Sequence, residues 1–133
     1  MDSTSIELPG SKISAVEVEG DTIRVAFEPA YLVKSMTGSV ERTRWWQNGA
    51  LVFEQATLDE TGQLPTLPAE CRGGDVGENV YTYRDMVPIP LESRGRAHCA
   101  LKFDDDRVIR IEAAGVRLEM NDVPKYIEHL RPE

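Results

Sequence analysis

Cysteine and histidine are scarce, with two of each in 133 residues. Cys71 and Cys99 lie far apart and lack CxxC spacing, and His98 and His129 form neither an HxH nor an HxxxH pair. No cluster therefore has the ligand spacing of a zinc site, and the expectation is no metal and no cofactor. Met1-Asp2-Ser3-Thr4-Ser5 carries no positive charge and leads into no apolar run, so the opening does not read as a signal peptide. Two distant thiols in such a chain are expected to be free and reduced, and the protein cytoplasmic. Basic residues are also in deficit, 15 Lys and Arg against 23 Asp and Glu, for a net charge of −8. That balance argues against nucleic acid and against an anionic membrane surface, because phosphate binding draws on clustered Lys and Arg. No segment has the length of a membrane span. The G-x-S-x-G elbow, HExxH and the protein-kinase signatures are all missing.

What remains is a chain written in alternating strands. Length fits one domain, residues 1–133, able to bury about two-thirds of its unfolded surface without a metal or disulfide. Residues 1–11 are polar, contain Pro9-Gly10 and are expected to fray. Val16 and Val18 alternate with Glu17 and Glu19, and Ile23, Val25 and Phe27 alternate with Arg24, Ala26 and Glu28. A two-residue loop at Gly20-Asp21 pairs Val18 with Ile23 and Val16 with Val25, placing all four on one face. Asn48-Gly49 supplies the two positive-φ residues of a type I′ turn, which predicts a second hairpin. It would pair Trp46 with Leu51 and Arg44 with Phe53, with Trp45 and Val52 on the other face. A third hairpin centres on Asp104-Asp105-Asp106. Cys99, Leu101 and Phe103 share a face with Ile109 and Ile111 only if the loop is odd, which predicts three residues.

Further on, the apolar stripe moves from odd positions (Ile109, Ile111, Ala113) to even ones (Val116, Leu118, Met120). A β-bulge near Ala114-Gly115 accounts for the change. Pro88 and Pro90 cannot donate to a ladder, which places Met86–Leu91 at a sheet edge. Tyr31 to Met36 fits a strand or one helical turn. Asp122, Pro124 and the spacing of Val123, Ile127 and Leu130 predict a short C-terminal helix. The expected fold is mainly β. It is an antiparallel sheet of about seven strands, curling into a small barrel or forming a two-layer sandwich, with that helix against it.

Candidate chemistry is thin. Residues 59–79 hold Pro65, Pro68, Gly73, Gly74 and Gly77 with little periodicity, and such a long loop is where activity is best sought. Cys71, beside Arg72 and before Gly73-Gly74, could be a nucleophile if folding brought His98 or His129 to it as a base, but reads better as a loop cysteine with no role. Asp75, Glu78 and Asn79, and separately Asp104-Asp105-Asp106, are acidic enough for a cation but lack EF-hand spacing, and read better as turn residues. Trp45 and Trp46 point to opposite faces, so one is a core anchor and the other is free to rest under a loop or meet a partner, with Arg44 and Arg42 nearby. Tyr81 and Tyr83 share a strand face. Two functions follow as expectations. The first is a non-enzymatic binding or accessory module that uses Trp45, Trp46 and Arg44, or a sheet edge, to hold a protein partner or a second copy. The alternative is a small-ligand barrel or enzyme, with Tyr81, Tyr83 and Cys71 around a pocket near residues 59–79.

Overall fold

The computed structural model describes residues 3–130. Twelve strands run in chain order: β1 Ser3–Glu7, β2 Lys12–Glu19, β3 Thr22–Ser35, β4 Arg42–Glu54, β5 Thr57–Leu58, β6 Ala69–Glu70, β7 Gly73–Glu78, β8 Tyr81–Arg84, β9 Met86–Ile89, β10 Glu92–Lys102, β11 Val108–Met120 and β12 Lys125–Leu130. All pairings are antiparallel, and the sheet order is β6-β2-β3-β4-β11-β10-β7-β8. The sheet is curled into a half-barrel. Its concave side is filled by Ile13, Ile23, Val25, Phe27, Leu51, Phe53, Val76, Leu101, Ile109 and Ile111, all at or near zero exposure.

The long strands β3 and β4 do two jobs. Over Thr22–Phe27 and Gly49–Glu54 they belong to the curl, flanked by β2 and β11. Over Ala30–Ser35 and Arg42–Gln47 they still pair with each other, but their outer neighbours become β1 and β12, with β9 beyond β1. The change of neighbours occurs at Glu28-Pro29 on β3, where the register slips, and at Asn48-Gly49 on β4. The result is an extension, β9-β1-β3-β4-β12, continuous with the curl.

This corrects the reading of Asn48-Gly49. The dipeptide does not turn; β4 passes straight through it, and neither residue has positive φ. Tertiary partners override the local signal. The buried Gln47 amide donates to the carbonyls of Asn121 (3.0 Å) and Asp122 (3.1 Å), and Asn121 N–H donates to Asn48 O (2.9 Å). The link between β11 and β12 is thus clamped onto β4 at this point. Glycine is needed at 49 for closeness, since a Cβ there would lie 2.7 Å from the carbonyl oxygen of Glu119.

The Gly20-Asp21 hairpin forms in the expected register, with Val18 opposite Ile23 and Val16 opposite Val25, although Val18 is 60% exposed near the tip. In the third hairpin a three-residue 3₁₀ turn, Asp104–Asp106, separates Phe103 from Arg107, whose carbonyl accepts the Phe103 N–H at 2.8 Å. Cys99 faces Ile111 and Leu101 faces Ile109, as the odd loop requires. β11 runs unbroken through Ala114-Gly115; the register slip lies on its partner, between Arg94 and Ala97 of β10, with Gly95 at φ +118°. Pro88 sits on β9, which pairs only with β1, so the proline-rich segment is an edge.

Three other expectations fail. The C-terminal helix is a strand, β12, laid along β4 from Arg42 to Trp46. The spacing of Val123, Ile127 and Leu130 suited a helix, but the backbone of β4 needs a partner there, and a strand supplies it. Residues 3–7 of the segment expected to fray form β1, with Ile6 and Leu8 fully buried; Met1 and Asp2 lie outside the described residues. The Gly-rich run Gly73–Glu78 is not a loop but an inner strand between β10 and β8. Its glycines admit neighbours: a Cβ on Gly77 would collide with the His98 ring, and one on Gly74 with the Ala100 carbonyl.

Candidate functional site

The extension carries most of the residues singled out from the sequence. Trp45 and Trp46 are both half-buried and project to opposite faces. On one face Trp45 stands opposite Leu32, packs edge-on against Tyr126 (5.3 Å between centroids) and donates from Nε1 to Thr43 Oγ1 at 2.8 Å. Lys34 Nζ lies 4.2 Å from its ring centroid, and Tyr126 in turn meets His129 edge-on at 6.4 Å. This face is continuous with the core, where Ile6, Leu32 and Val87 are buried.

The other face is open. Trp46, Tyr31, Pro29, Ile127, Glu28 and Asn48 line a shallow trough of about 430 Å³. Trp46 lies directly across from Tyr31 on one side and Lys125 on the other, and Lys125 Nζ is 5.6 Å from its ring. Ile127 reaches the trough because β12 bulges between Tyr126 and Glu128. Arg44 adjoins this surface. Its guanidinium lies 5.6 Å from the Tyr31 ring, bonds Glu7 and approaches Glu128 at 3.8 Å. A second shallow trough, lined by Glu7, Pro9, Val33, Arg42, Asp85 and Met86, continues the same face beyond Arg44. A row of aromatic, aliphatic and Arg side chains that can shed water on contact is the composition of an interface centre.

The remaining candidates do not meet there or elsewhere. Cys71 and Cys99 are free and buried. Burial pushes the Cys71 thiol up, and Cys99 is pushed up to about 12 by full desolvation. A thiol held protonated is a poor nucleophile, and the side chain of Cys71 is buried away from Arg72's ion pairs. Arg72 turns outward instead and clasps Asp104 through Nε (2.8 Å) and Nη2 (3.0 Å). The His98 ring covers Gly77, and His129 meets Tyr126 edge-on. Tyr81 is exposed on β8, while Tyr83 is half-buried with its hydroxyl 3.5 Å from Glu78. Burial followed by the Glu78 carboxylate raises the Tyr83 pKa. Asp75 pairs with Arg84 at 3.2 Å and Asn79 Nδ2 donates to Ser93 Oγ at 3.0 Å. Among the described residues no three His, Cys, Asp or Glu side chains gather as a metal site would require. The 59–79 stretch covers a recess of only about 70 Å³ between Val16, Leu58, Leu64, Leu67 and Ile109, and a shallow groove of about 510 Å³ runs beside Asp59–Thr61. Neither recess nor groove touches Cys71, Tyr81, Tyr83 or His98.

Tyr31, Pro29 and Ile127 were missed from the sequence. The signal for Tyr31 was its place two residues after a proline in a strand-like run. Ile127 was assigned to a helix and could not be placed beside Trp46. No protein-family model, no curated protein and no solved structure matches this chain.

Proposed function

We propose that the protein is a non-enzymatic binding module of the cytoplasm that holds a protein partner against the outer face of β3, β4 and β12. Trp46, Tyr31 and Ile127 act as the apolar anchors, and Arg44 is the polar contact beside them. The observation that carries this reading is the placement of the trough. The interior is filled by side chains, whereas an aromatic-lined depression of about 430 Å³ lies open on the surface next to a half-exposed arginine. A flat, open depression suits a side chain presented by another protein better than a small molecule, which is normally enclosed over most of its surface. The free buried thiols support a reducing compartment. We read the curl as a small barrel in preference to a sandwich. Support comes from the β6–β7 segment, which pairs with β2 at Lys12–Ile13 and with β10 from Lys102 onward, joining the two margins of the sheet.

The test is site-directed photo-crosslinking in cells that make the full chain. Benzoylphenylalanine replaces Ile127, and in a control chain it replaces Thr82 on β8. A polypeptide adduct from position 127, absent from the control and lost on adding Trp46→Ala, is the expected result. No adduct at 127 overturns the reading.

A further inference from the structure

Several strands leave an edge unpaired among the described residues, and they are not alike; β5 and β6 are only two residues long. β9 carries Pro88 in the strand and Pro90 directly after it. β8 is four residues long. β2 beyond Ile13 is interrupted by a register slip and bears Glu17 and Glu19. These are ordinary ways of blunting an edge against further pairing. β12 also bulges, between Tyr126 and Glu128, and carries Lys125 and Glu128, so its difference from the other edges lies elsewhere. It is six residues long, contains no proline, pairs only with β4, and exposes Tyr126 (54%) and Ile127 (38%).

Resting on the binding reading above, we infer that a second copy of this chain joins at the margin of that face, by antiparallel pairing of β12 with β12 about a two-fold axis, so that the two troughs make one composite surface. The argument is self-complementarity. In such a pair, residues directly opposite must lie on the same face of the joint sheet. Contacts within one chain fix the faces. Tyr126 and His129 lie with Trp45, while Lys125, Ile127 and Glu128 lie with Trp46, the trough and Arg44. Leu130 stands opposite Arg42, on that second face. One register satisfies every position: Lys125 opposite Leu130, Tyr126 opposite His129, and Ile127 opposite Glu128 of the other copy. A slip of one residue in one direction sets Tyr126 against Glu128, which point to opposite faces. A slip in the other direction sets Glu128 against itself.

The matching register also brings Lys125 diagonal to Glu128 of the other copy, twice by symmetry, within reach of long side chains. Tyr126 and His129 from both copies then form one aromatic strip with the two Trp45 rings, and the two troughs come to lie side by side across the seam. The bulge that sends Ile127 into the trough falls next to the axis in both copies, so neither strand has to straighten to pair.

The experiment uses the full-length purified chain. Sedimentation equilibrium is expected to show a monomer–dimer equilibrium, weakened about three- to tenfold by Glu128→Lys through the lost diagonal pairs. A chain with Tyr126→Cys mixed with a chain with His129→Cys is expected to form a disulfide-linked dimer under mild oxidation. Each variant alone is not, because like positions stand farther apart than the roughly 7 Å a disulfide spans. Lys125→Cys with Leu130→Cys repeats the test should the first pair perturb the aromatic strip. A strict monomer at about 100 µM overturns the inference, as does cross-linking of the single variants as readily as the mixture. A monomer whose position-127 photo-adduct is a different polypeptide sinks the second copy as partner and leaves the binding reading intact. A dimer that gives no adduct at 127 overturns the inference too, because that position stands beside the axis against Glu128 of the other copy.

Discussion

The curl and the extension are built from the same two strands, yet they spend their side chains differently. In the curl, β4 is buried on both faces. Phe53 and Leu51 point to the core, and Val52 on the outer side lies opposite Arg24 and Arg117. Those two arginines are tied into a chain of carboxylates, with Arg24 to Glu119 at 2.8 Å and Arg117 to Glu54 and Glu119. In the extension the same β4 leaves Trp45, Trp46 and Arg44 half-exposed, and its outer neighbour β12 is almost wholly exposed. The difference teaches where stability and recognition reside. Apolar area removed from water holds the curl together, while apolar area kept at the surface in the extension is available to a partner.

The sharpest way to break that contrast is a core deletion. Phe53→Ala in the curl is expected to lower unfolding free energy by about 3–5 kcal/mol in chemical denaturation, from lost burial and the cavity left behind. Gly49→Ala, at the junction of the two regions, pushes a Cβ against the Glu119 carbonyl and is expected to cost about 1–3 kcal/mol. A pH test comes next. Burial pushes the Cys99 thiol up from its ordinary value of 9.0 to about 12 in the folded chain. Its folded pKa is raised, so its contribution is complete below pH 9 and is lost as pH climbs toward 12. Between pH 8 and pH 10 the wild type should lose roughly 1 kcal/mol more than Cys99→Ala, read from denaturant midpoints. Smallest of all, Ile127→Ser in the extension should change stability by less than about 1 kcal/mol while abolishing whatever the trough holds. A loss there as large as that of Phe53→Ala would erase the distinction between the two regions.

The sequence made one half of this contrast legible and hid the other. Register in the curl followed from period-two alternation and a tight reversal, because Val16, Ile23 and Val25 have one face to bury, and Val18 follows them out to the exposed tip. The 99–111 hairpin followed for the same reason, through the parity of its loop. The extension is assembled from non-local pairings that alternation cannot report. Asn48-Gly49 has the chemistry of a turn but is pinned flat by Gln47 and Asn121, which lies 73 residues from Asn48 along the chain. Lys125–Leu130 has helical spacing but adopts the conformation that β4 can pair with. Trp45, Trp46 and Arg44 were therefore named with the wrong neighbours. Tyr81, Tyr83 and Cys71 were named for a pocket that would require them to converge, and folding sends them to an edge strand and to the core.

Sharing β3 and β4 between the two regions has a consequence for how the molecule can be divided. β3 and β4 run through both regions and pair with each other on either side of the slip at Glu28-Pro29. A fragment trimmed to either region would have to sever both long strands in mid-course and strip their new ends of partners. The two regions therefore fold, persist and are lost as one indivisible piece.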